Sequence, residues 1–324
     1  MAVYTQLGSE DVSALLLRYD VGDLVALKGI AEGVENSNYF VETTSGRYIL
    51  TLYENRVDPR DLPFFHSLLA HLHEAGCPVP RFIEDCEGRW LQEVATRPAC
   101  LIEFLAGVSV SHPNAEQAHD TGAALGHMHA ALTGFEEIRS NTLGLAAWRP
   151  LAEKCDREAL DTIQPGLADR IFAECDYLEN RWPTALPQSV IHADLFPDNV
   201  LMLGNRVTGL IDFYFACTDA RAYDLAVTLC AWAFSADGKM HDDAVAAAII
   251  VGYATQMRLD HESREALPLL LRGACLRFLL TRSFDWINTP ANALVTRKDP
   301  IAFLRRLDFY SNEQNIRALM GHFR

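Results

Sequence analysis

The sequence predicts an α+β fold in two lobes, a small antiparallel-sheet N-terminal lobe and a larger, mainly helical C-terminal lobe. The chain has 324 residues, which exceeds the length of one ordinary domain. Short strand-like runs dominate the sequence up to Glu103, and helical periodicity dominates from Asn114 onward. We therefore expect residues 1–105 to form an N-terminal lobe and residues 106–324 to form the C-terminal lobe.

The N-terminal lobe should open with a helix, because apolar residues recur at helical spacing over residues 9–19. A second helix is predicted over residues 61–75, where Gly76 and Pro78 would end it. Five runs between turn residues are typical of strands: residues 24–27, 39–43, 47–53, 90–95 and 99–103. This mixture predicts a sheet accompanied by one long helix.

The C-terminal lobe should be built from helices over residues 115–132, 221–234, 244–257 and 263–286, with a more irregular helix-rich section before residue 186. His127 and His129 lie in the first of these helices. Metal ligands on one helix face need a separation of three or four residues, which this pair lacks. We therefore expect both histidines to be structural.

Composition excludes several function classes. The net charge is −15 and the 28 Lys and Arg residues are not clustered, which argues against nucleic-acid and anionic-membrane partners. The eight cysteines form no C-x-x-C pair, so we expect reduced core thiols in a cytoplasmic protein without a zinc site. The longest apolar run, residues 244–254, is too short to span a bilayer, and residues 1–20 do not resemble a signal peptide.

One stretch carries most of the chemical information. His192, Asp194 and Asn199 lie between apolar runs, and Asp212 follows on a second apolar run. This order and spacing are typical of a kinase catalytic loop with its metal-binding hairpin. Each residue alone would more often be a turn or cap residue, or a core histidine. The four together favour phosphoryl transfer.

The residue types fit that chemistry. Phosphoryl transfer requires metal ions that neutralise charge, and magnesium prefers oxygen ligands such as those of Asn199 and Asp212. Asp194 would stay off the metal, position an alcohol and take its proton. Residues 200–203 and 207–211 are predicted to form a hairpin around Gly204. That hairpin would return Asp212 to the side of Asn199.

Two further segments are candidates for nucleotide binding. Residues 29–38 contain glycines that could cover ATP phosphates with backbone N–H groups, although Gly and Asn are also ordinary hairpin residues. Residues 103–107 could form a hinge whose backbone faces the adenine, with Glu103 and Leu105 as the contacts. A strand that ends in a glycine turn fits the same residues equally well.

With these segments in view, the chain resembles the aminoglycoside phosphotransferase/choline kinase group, which has a protein-kinase-like fold. Within that group the likeness is to the bacterial homoserine kinases. The segments that carry it are residues 33–39, 48–54, 192–199 and 211–216. The resemblance extends over essentially the whole chain. It implies ATP and Mg²⁺ as cofactors and L-homoserine as the substrate, with O-phospho-L-homoserine as a product that feeds threonine biosynthesis.

The resemblance also implies roles for individual residues. Asp194 would be the catalytic base, His192 would support the catalytic loop, and Asn199 with Asp212 would hold magnesium. Asp224 matches the family's buried Asp that ties down this loop. The phosphate-covering loop would include four residues, Gly33, Asn36, Ser37 and Asn38.

The chain departs from the kinase pattern at two positions. Thr51 stands where kinases of this shape carry a strand lysine that contacts the phosphates. Lys28 or Arg47 could replace that lysine, or the loop and metal could hold the phosphates without it. Tyr214 follows Asp212 and Phe213 in place of the usual glycine, and it is a candidate substrate contact.

An amino-acid substrate carries a carboxylate, for which a bidentate arginine is the best partner. Arg277 and Arg282 lie in a very apolar predicted helix and are the candidates. Because a buried guanidinium needs a partner, Arg277 must bind an anion, either the substrate or an internal Asp or Glu.

Two alternatives to a homoserine kinase remain. One is a kinase for another small alcohol, such as choline, methylthioribose or an aminoglycoside. The other is a regulatory protein that binds nucleotides without turnover. The oligomeric state is not determined by these patterns.

Overall fold

The computed structural model describes residues 5–30, 36–54, 57–289 and 297–323. The chain forms two structural units, of which the first ends at Ala106 and the second begins at Gly107. Assigning nucleotide binding to the first unit, and catalysis and substrate binding to the second, remains a prediction.

The first unit contains a five-stranded antiparallel sheet in the order β1-β2-β3-β5-β4. Its strands are β1 (Leu24–Ile30), β2 (Asn36–Thr43), β3 (Arg47–Tyr53), β4 (Gln92–Val94) and β5 (Arg97–Glu103). Side chains alternate between the two faces, so that Leu50 and Leu52 of β3 point to one face and Thr51 points to the other. Leu50, Leu52 and Thr51 are all buried, so both faces of β3 are covered.

Two helices accompany this sheet, α1 (Ser9–Leu16) and α2 (Leu62–Glu74). The backbone N–H of Gly8 donates to Asp11 Oδ2 at 2.9 Å, which satisfies a group at the start of α1. Val12 and Leu15 of α1 join a hydrophobic core with Val41 and Leu50 of the sheet. Burial of these apolar side chains is the main stabilising contribution of α1.

The second unit contains two short antiparallel strand pairs. One pairs β6 (Gln188–Ile191) with β9 (Cys217–Ala220), and the other pairs β7 (Val200–Leu203) with β8 (Arg206–Leu210). Gly204, in the turn between β7 and β8, has φ +62°, a conformation that glycine adopts without steric cost. The predicted hairpin is therefore present, although β8 begins and ends one residue earlier than expected.

Helices form the rest of the second unit. They are α3 (Ala115–Ala131), α4 (Leu145–Lys154), α5 (Arg157–Ile163), α6 (Leu167–Glu179), α7 (Arg221–Trp232), α8 (Asp243–Gln256), α9 (His261–Asn288), α10 (Ile301–Ser311) and α11 (Glu313–Met320). Side chains of Asn114, Asp242 and Asp260 accept backbone hydrogen bonds at the starts of α3, α8 and α9. The central helix α7 is buried from Ala222 to Trp232.

Glycines allow α3 and α8 to pack closely. A Cβ on Gly126 of α3 would lie 2.7 Å from the backbone oxygen of Tyr253 in α8, closer than side-chain carbons ever approach. A Cβ on Gly252 of α8 would lie even closer to the backbone oxygen of His119. Small residues at these positions bring the two helix backbones into contact and fix their register.

The structure corrects several sequence expectations. The second strand begins at Asn36, so residues 36–38 belong to β2 and not to a loop. The first helix ends at Leu16 and not at Tyr19. Helices α10 and α11 were not predicted. In α10, the buried Arg306 interrupts the apolar face and obscures its periodicity.

Two expectations from composition concern the cysteines and the membrane. Seven of the eight cysteines are buried and all are free, whereas Cys86 is exposed. In the part of the chain that the structure describes, no helix combines the length and apolar character needed to cross a bilayer.

Candidate active site

The predicted catalytic loop begins directly after β6. Ala193 has φ +63°, a left-handed conformation that is uncommon for residues other than glycine. Asp194 follows it and is half-buried. The loop backbone therefore turns sharply between the end of β6 and the Asp194 side chain, and surrounding contacts must hold that turn.

His192 is fully buried beneath this turn. Its Nε2–H donates to the backbone oxygen of Ile211 at 3.0 Å, and its Nδ1 accepts from the backbone N–H of Asp194 at 3.3 Å. Burial lowers the pKa of His192, so the ring is neutral in this environment. Since both ring nitrogens contact backbone groups, His192 is arranged to support the loop and not to accept a substrate proton.

Asp194 and Asn199 form one hydrogen-bonded unit. The Nδ2 of Asn199 donates to the backbone oxygen of Asp194 at 2.8 Å and to its carboxylate Oδ2 at 3.2 Å. These bonds orient the Asn199 amide, so that Oδ1 is its remaining acceptor. A carboxylate and an amide oxygen thus lie side by side.

The hairpin of β7 and β8 returns the chain to Asn199, as the sequence predicts. The N–H of Ile211 donates to the backbone oxygen of Asn199 at 3.0 Å, which places Asp212 next to this pair. Asp212 has φ +64° and is exposed. Tyr214 lies in the short 3-10 helix Phe213–Phe215 that follows, and it is half-buried.

The oxygens of Asn199 and Asp212 suit a hard cation. Magnesium prefers oxygen ligands and often takes only one or two from the protein, with water and substrate phosphates completing the shell. Within the described ranges, no cluster of three or more His, Cys, Asp or Glu side chains is arranged as a metal site. The two oxygen-bearing side chains, Asn199 and Asp212, fit a magnesium ion whose remaining ligands come from a nucleotide and water.

Asp224 of α7 holds the loop from beneath and is fully buried. Its Oδ2 accepts the N–H of His192 at 2.7 Å, and its Oδ1 accepts the N–H of Ala193 at 2.8 Å. Burial by itself would raise the pKa of Asp224, but hydrogen bonds and the His129 and His192 rings hold it below the usual value. The position of Asp224 agrees with the loop-tying role that the resemblance implies.

The two candidate arginines lie in different surroundings. Arg277 is only 2% exposed; its Nη1 donates to the backbone oxygen of Ala193, and among the described residues its Nε has no hydrogen-bond partner. Its guanidinium lies 4.5 Å from the Phe278 ring. Among the described residues, the hydrogen-bond partner of Arg277 is thus a loop carbonyl and not an internal carboxylate.

Arg282 lies further along α9 and is half-buried. Its guanidinium is 4.5 Å from the Phe303 ring, and its Nη1 donates to the backbone oxygen of Asp299 at 3.3 Å. Burial lowers the pKa of Arg282 to about 10, whereas the charges of Asp194 and Asp198 raise it. The Arg282 charge is therefore within electrostatic range of the predicted catalytic Asp.

The predicted phosphate-covering residues lie in the first unit. Gly33 is outside the described residues. Ser37 Oγ donates to Glu54 at 2.6 Å, and Asn38 Oδ1 accepts from Thr51 Oγ1 at 2.8 Å. Asn36 Oδ1 is buried and has no hydrogen-bond partner in the described part of the chain. Asn36 thus differs from Ser37 and Asn38, whose side chains are bonded to Glu54 and Thr51.

The expected hinge residues lie at the end of β5 and just after it. Glu103 is the last residue of β5, and its carboxylate is 3.3 Å from Arg81 Nε. Leu105 is half-buried in an irregular segment. Gly107, which begins the second unit, has φ +155°, and a Cβ there would lie 2.9 Å from the Leu201 Cβ.

The structure also places the residues considered as replacements for the strand lysine. Thr51 is buried and bonded to Asn38, so that position presents no cation. Lys28 is exposed on β1. The Arg47 guanidinium is 4.9 Å from the Phe104 ring at the end of β5.

Several loop contacts were missed from the sequence. Trp232 Nε1 donates to the backbone oxygen of Leu195 at 2.9 Å. The Phe196 ring of the loop lies 4.8 Å from the Phe278 ring, and Lys298 Nζ is 3.3 Å from Asp198. No sequence signal marks these partners, because each pairs residues far apart in the chain.

Comparison with known proteins places this geometry in context. The model of the phosphotransferase enzyme family matches residues 26–265. The chain is 53% identical to the homoserine kinase of Zymomonas mobilis over 311 residues, covering 96% of this chain and 97% of that protein. It is 50% identical to the homoserine kinase of Methylorubrum populi over 317 residues, covering 98% of each.

A solved structure of the amicoumacin kinase hAmiN, in complex with AMP-PNP, Ca²⁺ and Ami, superposes with a TM-score of 0.69 at 14% identity and covers 94% of each chain. This likeness concerns the fold alone. It confirms the predicted α+β, protein-kinase-like fold class, with its sheet-containing N-terminal part and mainly helical remainder. The family match spans most of the chain. The chain therefore belongs to the phosphotransferase enzyme family.

Proposed function

We propose that this protein transfers the γ-phosphoryl group of ATP to the side-chain hydroxyl of L-homoserine, giving O-phospho-L-homoserine and ADP. One observation carries the proposal: Asp194, Asn199 and Asp212 are assembled in kinase order in a chain about half identical to homoserine kinases. The enzyme class predicted from the sequence agrees with these relatives. The product would serve threonine biosynthesis.

In the proposed reaction, the homoserine hydroxyl donates a hydrogen bond to the Asp194 carboxylate. A bond forms from the hydroxyl oxygen to the γ-phosphorus, and the bond from that phosphorus to the β,γ-bridging oxygen breaks. Asp194 takes the hydroxyl proton, and ADP leaves with the bridging oxygen. Because the transition state is loose, the proton moves late, and Asp194 serves both to position the hydroxyl and to take its proton as the general base.

Magnesium would be held by Asn199 Oδ1 and the Asp212 carboxylate. When bound, the ion neutralises charge on the transferring phosphoryl group. The protein contributes the orientation of its two ligands: Asn199 through its bonds to Asp194, and Asp212 through the short connection from β8.

For the substrate carboxylate, the contacts favour Arg282 over Arg277. Arg277 is buried and bonded to the loop at Ala193, so its guanidinium serves the loop. Arg282 is half-buried, is influenced by the Asp194 charge, and among the described residues has one hydrogen bond, to a backbone oxygen at 3.3 Å. It retains donors for a carboxylate near the reacting hydroxyl. Tyr214, two residues after Asp212, is a further candidate contact.

Nucleotide contacts are proposed for the first unit. Gly33 and Asn36 would face the phosphates, and Ser37 and Asn38 would hold β2 in place through their bonds to Glu54 and Thr51. The backbone of Glu103 and Leu105 would contact the adenine. The cytoplasmic location and the absence of nucleic-acid and membrane partners remain expectations from composition.

The test is ADP release by the purified protein with a panel of alcohols: L-homoserine, choline, methylthioribose and an aminoglycoside. We expect magnesium-dependent turnover that is fastest with L-homoserine. Faster turnover with another alcohol would reassign the substrate. Nucleotide binding without ADP release on any alcohol would support the regulatory alternative.

A further inference from the structure

A buried chain of three side chains extends from α8 through α3 to α7, beneath the catalytic loop. The hydroxyl of Tyr253 lies 2.9 Å from His129 Nδ1, and His129 Nε2 lies 3.1 Å from Asp224 Oδ2. All three side chains are almost completely inaccessible to solvent. The direction of the hydrogen bonds follows from their chemistry. An ionised carboxylate only accepts, so His129 Nε2 must carry a proton and donate it to Asp224. In a neutral imidazole Nδ1 then accepts, and Tyr253 is its donor.

The far end of this chain meets the loop. Asp224 accepts from the backbone N–H groups of both His192 and Ala193, and its Oδ2 is shared between His192 and His129. The carboxylate can reach both amides only in one rotational position. The bond from His129 fixes that position from the side opposite the loop.

The loop needs such support because Ala193 has a left-handed φ of +63°. A residue with a Cβ leaves that region unless its neighbours hold it there. Asp194 is the next residue, so a change of the Ala193 backbone redirects the Asp194 carboxylate. The hydrogen bonds of Tyr253, His129 and Asp224 thus help to set the orientation of Asp194, the proposed base.

The placement of Tyr253 depends on the close packing of α3 and α8. Gly126 faces the backbone oxygen of Tyr253, and Gly122 faces the backbone of Ile249. A larger residue at either glycine would separate the helices and withdraw the Tyr253 hydroxyl from His129. The hydrogen-bond chain is therefore a product of helix packing that no single segment specifies.

We propose that His129 is a positioning residue for phosphoryl transfer: acting through Asp224, it holds the backbone of residues 192–194 so that Asp194 meets the attacking hydroxyl, and Tyr253 fixes the required imidazole tautomer. This rests on the proposed role of Asp194. It differs from a purely structural role, in which loss of His129 would lower stability without affecting the turnover of folded protein.

The test compares His129→Leu, His129→Gln and Tyr253→Phe with wild type, and uses His127→Leu as the matched control. His127 lies on the same helix but is half-buried. We expect His129→Leu to lower kcat by up to ~10²-fold, the scale of a misplacement of about 1 Å, with both KM values little changed. His129→Gln retains an N–H near the Nε2 position and should restore part of kcat.

Hydrogen–deuterium exchange supplies a readout that needs no turnover. In His129→Leu, the amides of His192 and Ala193 should exchange faster, while the amides of the β7–β8 hairpin should keep their rates. Tyr253→Phe removes only the hydroxyl that contacts His129, so it should show the same exchange pattern with a smaller loss of kcat. This variant tests the proposal even if His129→Leu does not fold.

Folded His129→Leu or Tyr253→Phe with wild-type kcat and wild-type exchange at His192 and Ala193 would overturn the proposal. So would a fall in melting temperature with no loss of kcat per folded molecule. If wild type phosphorylates no alcohol, the proposed function fails separately, and the exchange rates still decide whether His129 holds the loop.

Discussion

Asn199 donates from one side-chain nitrogen to Asp194 twice, to its backbone oxygen at 2.8 Å and to its carboxylate Oδ2 at 3.2 Å. The proposed metal ligand and the proposed base are therefore mechanically connected. Displacing Asn199 would disturb both the cation and the Asp194 side chain. The backbone bond between Ile211 and Asn199 connects the segment that carries Asp212 to the same pair.

The first prediction separates the two metal ligands. Asp212→Ala should lower turnover more than Asn199→Ala, because it removes a formal charge beside a dication. Raised magnesium should restore part of the activity of Asn199→Ala but not that of Asp212→Ala. The measurement is turnover as a function of magnesium concentration. Asp198→Ala removes a neighbouring exposed carboxylate and should keep the wild-type magnesium dependence. If Asp212→Ala and Asn199→Ala also keep it, the assignment of the metal ligands is wrong.

The second prediction concerns the substrate carboxylate. Arg282→Met should raise KM for L-homoserine by about 10- to 100-fold, because the substrate carboxylate would lose one charge-assisted hydrogen-bonding partner. KM for ATP should stay nearly constant. Arg277→Met should instead lower kcat and the melting temperature, since Arg277 is buried against the Ala193 carbonyl. Steady-state kinetics with each substrate varied in turn distinguishes these outcomes.

Arg305→Met is the control for the arginine variants, since Arg305 lies on α10 and donates to the backbone oxygen of Asp237 at 2.7 Å. It should leave both KM values unchanged. The assignment of the substrate carboxylate to Arg282 would be reversed by two results together. Arg277→Met would raise KM for homoserine without changing kcat, and Arg282→Met would leave the kinetics unchanged.

The third prediction follows from the buried His192. Burial lowers the pKa of His192 in the folded protein, whereas an unfolded histidine titrates near 6.5. As the pH falls below about 6.5, His192 binds a proton in the unfolded chain but stays unprotonated in the folded protein. The free energy of unfolding therefore decreases. His66 and His241 act in the same direction, since burial lowers their pKa values too. Asp224 has a lowered pKa in the folded protein. Its contribution to the free energy of unfolding is therefore lost only at lower pH, as the pH falls below the usual pKa of a carboxyl group.

The measurement is chemical unfolding at a series of pH values between about 8 and 5, a range that spans the ordinary histidine pKa. His192→Gln should show a shallower loss of stability toward acid than wild type, and His127→Gln should match wild type. An equally steep loss in His192→Gln would mean that folding does not lower the pKa of His192.

Much of this fold could be predicted from local sequence patterns. The hairpin after Asn199 and the helix that begins at Arg221 follow from turn residues and apolar periodicity, which act over short distances. The start of β2 at Asn36 could not be seen in this way. Its residues are polar, and they form a strand because Asn38 bonds to Thr51 and Ser37 bonds to Glu54 across the sheet.

The candidate site was predictable where its members are close in sequence. His192, Asp194 and Asn199 occupy one loop, and a short hairpin adds Asp212. The support beneath the loop was not predictable, because His129 and Asp224 are separated by 95 positions and meet only through helix packing. The partner of Arg277 was missed for the same reason, since it is a backbone carbonyl that no residue type marks.

The most direct test of the account is Asp194→Asn, with formation of O-phospho-L-homoserine followed by phosphorus NMR and ATP binding measured in parallel. Asn keeps the size of the side chain but cannot take the hydroxyl proton. We predict a fall in the rate of product formation of about 10²- to 10⁴-fold, the usual contribution of general base catalysis, with ATP affinity retained. Near-wild-type product formation by folded Asp194→Asn would contradict the account, because Asp194 could not then be the base for phosphoryl transfer to homoserine.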